Sequence, residues 1–205
     1  AHAAAYLPME DYRFCLPRMR RIAESGHEWF PTDPAIVSAV LDRIRAEGPL
    51  RSCDFAGGDG PRGPWWDWKP AKAALEYLFM SGPLMVVFRP GFQKLYDLAE
   101  RALPPDVALR FPTDDEMGDW YVRRAALAYG AFSETDVAYM RKDGKTGLRA
   151  ATERAVESGS IVEIRVEGDD ERRLWADAAG LAGVLSAPAE TVPSSPDGRP
   201  LRILS

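Results

Sequence analysis

Lysines and arginines spaced about one helical turn apart are the residues whose chemistry most suggests a ligand. Lys69 and Lys72 open a helical pattern that begins at Lys69-Pro70. Their spacing puts both on one polar face near the helix N-terminus, where ammonium groups and unbonded backbone N–H groups can meet phosphate together. Arg89, in the turn Arg89-Pro90-Gly91, and Gln93 with Lys94 just past it, form a second polar cluster. Lys145 and Arg149 lie four residues apart, with Arg141 and Lys142 upstream and Arg154 downstream, which makes a longer basic stripe. A solvated polar face has the same spacing, so the surrounding elements must decide between the two readings.

Other chemistries find less support. Trp65, Trp66 and Trp68 crowd the end of a glycine-rich loop. An exposed indole there could stack on an unpaired base, worth about 1–3 kcal/mol, whereas tryptophans beside a helix start more often close a core. Gly57–Gly63 lacks the Gly-Lys-Ser/Thr ending of a phosphate-binding loop, and no strong strand leads into it. Asp114-Asp115-Glu116 reads as a first helical turn favoured by the macrodipole. His2 and His27 are the only histidines, and Cys15 and Cys53 are far apart, so neither a disulfide framework nor a zinc cluster assembles. No catalytic residue, metal or cofactor is assigned.

The elements that would position these residues follow from periodicity. Residues 9–25 read as an amphipathic helix, bent or begun late at Pro17. Asp33-Pro34 starts a helix with Ile36, Val37, Val40, Leu41 and Ile44 on one face, ending at Gly48. Leu50–Phe55 is a short second element. The helix opened by Lys69-Pro70 turns Ala71, Ala74, Leu75, Leu78 and Phe79 inward and Lys69, Lys72 and Glu76 outward, and stops at Gly82. A hairpin follows: Leu84–Phe88, the Arg89-Pro90-Gly91 turn, and an apolar run through Phe92, Leu95 and Tyr96.

The same grammar recurs downstream. Asp119–Tyr129 and Thr135–Met140 are helical, and Lys145–Glu157 is a helix with Leu148, Ala151, Ala155 and Val156 inward. Ile161–Val166 is a strand, Glu167-Gly168-Asp169-Asp170 a turn and Arg172–Trp175 the return strand. Ser81-Gly82 and Ser158-Gly159 each close a helix and open a strand, so one supersecondary unit is repeated. Helix, short element, helix, hairpin is the winged helix-turn-helix order. The fold class expected is α+β, mainly helical, with tandem winged helix-turn-helix modules. An N-terminal helical segment (1–32) precedes a module with its linker (33–112), a second module (113–187), and a loop with a terminal strand at Leu201–Leu204 (188–205).

Charge and hydropathy bound the rest. The 205 residues carry 26 basic and 31 acidic side chains, net −5, which argues against a uniformly basic surface. Residues 1–112 hold 14 of each sign, so the whole excess of acid lies in 113–205. The acidic turn 167–170 would repel phosphate, so the second module either contacts DNA through its helix alone or is an architectural copy that binds none. The longest apolar run, Leu84–Phe88, is far below the roughly 20 residues needed to cross a bilayer, and no export signal is visible. The expected compartment is the cytoplasm, away from membranes.

Three segments go beyond general winged-helix grammar: Ala1–Pro8, Gly63–Leu78 (GPWWDWKPAKAALEYL) and Phe88–Leu98 (FRPGFQKLYDL). With these the chain resembles the crosslink-repair DNA glycosylases of the YcaQ/AlkZ type along essentially its whole length, less closely after about residue 145. The resemblance implies a tandem winged-helix scaffold that binds double-stranded DNA and excises bases alkylated at N7 of guanine, including those in interstrand crosslinks. The family's catalytic Gln-apolar-Gln or Gln-apolar-Asp motif has no counterpart, because Gln93 is the only glutamine and Lys94 and Leu95 follow it. The family's Ala-His-Glu-Ala reads Ala1-His2-Ala3-Ala4.

The expectation is therefore a stretch from the middle of such an enzyme, cut at both ends, that binds DNA through Lys69, Lys72, Arg89, Gln93, Lys94, Lys145 and Arg149 without excising a base. A winged-helix transcriptional regulator, although no heptad stretch supplies its dimer, and a noncatalytic interaction module remain open as alternatives.

Overall fold

A computed structural model describes residues 7–25, 33–55, 70–138, 147–166 and 169–186. The described residues are α+β, mostly helical, with two small antiparallel sheets of three strands each. The chain divides into two compact units, Ala1–Pro112 and Thr113–Ser205.

In the first unit a 3₁₀ turn, Met9–Cys15, runs into helix α1, Leu16–Ser25. Pro17 therefore sits in the opening turn of α1, where a missing N–H costs nothing. Helix α2, Pro34–Glu47, begins where Asp33 Oδ1 accepts the Ala35 N–H at 2.8 Å, and ends at Gly48, whose φ of +92° suits a residue without a Cβ. Strand β1, Leu50–Arg51, and a 3₁₀ turn, Ser52–Phe55, follow. Helix α3, Pro70–Ser81, leads through Gly82 directly into strand β2, Leu84–Phe88, and its partner β3, Leu95–Leu98. Gly82, at φ +107°, lies in contact with Met19 of α1, with the Met19 Sδ 3.4 Å from where a Cβ would stand.

The sheet order is β1-β3-β2, with Leu50 and Val86 on either side of Tyr96. Its inner face packs on Val40 and Ile44 of α2 and Ala74, Leu75 and Leu78 of α3. A short helix, α4 (Ala99–Ala102), presents Arg101, which donates to the Ile44 carbonyl at 2.7 Å and to Asp97 at 2.6 Å. That contact ties the C-terminal turn of α2 to the end of β3.

The second unit repeats the order. Helix α5, Asp114–Tyr129, opens with a capping box in which Thr113 and Glu116 each accept the other's backbone N–H. Asp114, Asp115 and Glu116 form the first turn expected of them, continuous with the helical run that spacing gives from Asp119. Strand β4 (Ala131–Phe132), helix α6 (Glu134–Ala138), helix α7 (Leu148–Glu157) and strands β5 (Ile161–Val166) and β6 (Asp169–Asp177) complete a sheet of order β4-β6-β5. Phe132, fully buried, faces Trp175 within a core of Val122, Ala126, Val137, Leu148, Ala151 and Ile161.

Three expectations change here and one helix is added. Val156 is 41% exposed and Thr152 takes its place on the inner face of α7, donating to the Leu148 carbonyl at 2.9 Å. Phe92 lies outside any strand, because β3 begins only at Leu95. Asp169 pairs with Val166, so Asp169 and Asp170 belong to the strand rather than to a turn. A helix α8, Ala178–Ser186, follows β6; its two glycines mask it in the sequence, while Asp177 caps it by accepting the Gly180 N–H at 2.6 Å. The terminal strand at 201–204 lies outside the described residues.

Gly118 is where α5 and α7 meet: a Cβ there would stand 3.1 Å from the Ala151 Cβ and 3.1 Å from the Gly147 carbonyl oxygen. Gly118→Val is expected to destabilise this unit by about 1–3 kcal/mol through overpacking, read as a lower thermal midpoint. A midpoint equal to wild type would mean the helices do not pack as closely as described.

Candidate nucleic-acid interface

Helix α3 turns Ala73, Ala74, Leu75, Leu78 and Met80 into the interior, leaving Lys72 exposed in its first turn. The apolar and polar faces expected from spacing hold for Lys72 and fail for Glu76, which is only 6% exposed. The reason is crowding: α1 and α2 both pack on α3 and the hairpin folds back over it, so α3 has almost no solvent face.

Glu76 is buried because it is fully engaged. Lys94 Nζ donates to both of its oxygens, at 2.6 and 2.7 Å, and the Tyr96 hydroxyl donates to Oε1 at 2.9 Å. Lys94 also sits over the rings of Phe79 and Tyr96, at 5.5 and 6.0 Å from their centroids. Burial, reinforced by the facing Glu76 carboxylate, pushes the Tyr96 phenol well above the usual tyrosine range and keeps it a donor to Glu76, while Arg89 acts in the opposite sense. This three-residue clamp fastens β3 to α3.

The remaining hairpin residues surround the clamp. Arg89 is half-buried at the end of β2, and Gln93 is exposed and accepts from the Cys53 thiol at 3.4 Å, which brings the Ser52–Phe55 turn to the hairpin. Lys72, Arg89, Gln93 and Lys94 thus belong to one helix-and-hairpin assembly, with Lys94 serving as its internal anchor. Lys69, the tryptophans 65, 66 and 68, and the glycine loop 57–63 lie outside the described residues.

In the second unit Arg149 is exposed and pairs within its helix to Glu153 at 3.0 Å. Arg154 is a packing residue that joins α7 to Asp115 and Asp119 of α5, at 3.1 and 2.7 Å. Between α5 and α7 lies a cleft of about 500 Å³ floored by Val122, Ala126, Ala151 and Ile161. Its charged rim is engaged within the unit, by these Arg154 pairs and by Asp177 on the Gly180 N–H. Lys145, Arg141 and Lys142 lie outside the described residues.

The periodicity missed Glu76, because a lone acid on a helix reads as solvent-facing until a partner is known. The signal available was Lys94 and Tyr96, two donors, one just before and one within the strand that returns over the helix.

The family profile described as DNA glycosylase AlkZ-like matches residues 1–205. The chain belongs to the AlkZ-like DNA glycosylase family. DNA is therefore the macromolecule that this AlkZ-like chain handles, and its function lies in DNA repair. No solved structure matches it. Among the described residues no helix is long and apolar enough to cross a membrane.

Removing one member of a buried ion pair leaves the other charged and unpaired. Glu76→Ala in this AlkZ-like protein is expected to lower stability by about 3 kcal/mol, measured by denaturant unfolding. Replacing both residues, Glu76→Met with Lys94→Met, should recover most of the loss. A single variant as stable as wild type would contradict the clamp.

Proposed function

We propose that these residues form the double-stranded-DNA-binding part of a repair glycosylase acting on guanine alkylated at N7, including guanine in interstrand crosslinks, and working in the cytoplasm. The observation that carries this reading is the repeated order of elements. In both units a helix and a strand precede a second long helix that runs into a hairpin, and the first strand pairs with the last. That is the order of a winged helix, in which the long helix before the hairpin enters a groove and the hairpin is the wing. The modules then span 33–112 and 113–187, after an N-terminal helical segment at 1–32 and before a loop and strand at 188–205.

Lys72 in the first turn of α3, together with Lys69, and Arg89 and Gln93 of the hairpin meet phosphate and groove. Lys94 acts on DNA through the position it gives the wing. Arg149 on α7, together with Lys145, is the contact of the second module. The catalytic glutamine motif of the family has no match here, since Gln93 stands alone, so these residues bind without excising.

Fluorescence-anisotropy titration of a duplex at two salt concentrations tests the reading. Binding should weaken with salt, and Lys69→Ala with Lys72→Ala should reduce the slope of log affinity against log salt by about 2. Incubation with N7-methylated duplex should release no free base. Absent or salt-insensitive binding, or release of N7-methylguanine by the 205-residue chain, would overturn it.

A further inference from the structure

The two units correspond closely where the long helix of each runs into its hairpin. Ser81-Gly82 and Ser158-Gly159 hold the same place, with Gly82 at φ +107° and Gly159 at φ +70°. The first residue after each hairpin makes the same bond: the Ala99 N–H donates to the Pro83 carbonyl at 2.9 Å, and the Ala178 N–H to the Ser160 carbonyl at 3.1 Å. On this register Tyr77, Leu78 and Leu84 of the first unit stand where Arg154, Ala155 and Ile161 stand in the second.

In the first unit that place is covered by α1. Met19 of α1 lies against Gly82, and the Ala23 carbonyl accepts from the Tyr77 hydroxyl at 3.5 Å. Met19 and Ile22 turn inward while Arg18, Arg20 and Arg21 are exposed, so the covering element is a basic amphipathic helix. Among the described residues the second unit has no counterpart of α1. At the corresponding place it has the cleft of about 500 Å³, lined by Ala155, Ser158, Ser160 and Ile161 and by Leu127 of α5, which is 67% exposed. An apolar groove beside packed helices is the kind of surface that a helix with apolar residues at i, i+3 and i+4 fills.

We infer that the cleft between α5 and α7 is a docking groove for a basic amphipathic helix of a partner protein, seated as α1 is seated on α3. Charge selects a basic partner. Arg154 on the rim is shared between Asp115 and Asp119, Asp177 stands on the rim with Arg123, and the unit carries the whole acid excess of the chain. Ala151, Arg154, Ala155 and Ser158 line the cleft, and helical spacing puts them about half a turn around α7 from Arg149. A partner seated there leaves the Arg149 face of α7 clear.

The test is titration of the ¹⁵N-labelled full chain with a synthetic peptide of residues 9–25 carrying Cys15→Ser, followed by amide chemical shifts. Shifts at Leu127, Ala155, Ser158 and Ile161 are expected. Leu127→Lys in the protein, at an exposed position, should keep the wild-type thermal midpoint and bind the peptide about tenfold more weakly. A peptide carrying Arg18→Glu, Arg20→Glu and Arg21→Glu as well should not bind. An absence of shifts, shifts confined to residues 7–112, wild-type affinity in Leu127→Lys, or equal binding of the charge-reversed peptide would each overturn the docking groove. Cleft shifts that grow with protein concentration in the absence of peptide, with a doubled mass in ultracentrifugation, would also overturn it by seating a second copy there.

Discussion

A carboxylate inside a small core is costly unless its charge is matched and its oxygens are satisfied, and the first unit is arranged around one. Glu76 takes two bonds from Lys94 and one from Tyr96, so β3 and the residue that leads into it cannot slide or lift without stranding a charge. Hydrophobic packing of Leu75, Leu78, Leu84 and Leu98 would tolerate small adjustments of hairpin against helix. The ion pair does not, since its 2.6 and 2.7 Å bonds specify one register. Arg101 adds a second polar tie, joining β3 to the end of α2, and together they make helix, sheet and hairpin one body.

The second unit solves the same problem differently. No counterpart of Glu76 stands among the buried residues of α7, where Thr152 satisfies its hydroxyl on its own helix. Its helices are joined by Arg154 reaching across to Asp115 and Asp119, and by the close approach at Gly118. The repeat of topology is therefore not a repeat of chemistry. The acid excess of residues 113–205 and the internal pairing of Arg154 leave less positive charge for phosphate than the number of basic residues implies.

Local signals in the sequence carried most of the architecture. Asp33-Pro34 and Gly48 bound α2 because a cap, a ring-fixed φ and a residue free to take positive φ are determined within a few residues. Ser81-Gly82 and Ser158-Gly159 mark the helix-to-strand junctions for the same reason. What was not legible depended on distant partners. Glu76 looks solvent-facing until β3 returns with its donors, Val156 and Thr152 exchange places according to what α7 meets, and Phe92 resembles a strand residue until the turn at Pro90–Gln93 turns it outward. Helix α8 escaped because its small residues carry no amphipathic stripe. Of the proposed contact residues, Lys72, Arg89 and Gln93 fall on one helix-and-hairpin assembly, whereas the role of Lys94 as the anchor of the hairpin depends on Glu76, a partner eighteen residues away.

On the proposed reading, α3 and its hairpin, held together by the Glu76 clamp, meet DNA as a single surface. Amide hydrogen exchange with and without a saturating duplex measures this most directly. Slowed exchange in the first turn of α3 and at residues 88–94 together, at the same duplex concentration, is the result expected. Protection confined to one of the two elements, or to neither while the duplex is bound, would contradict it.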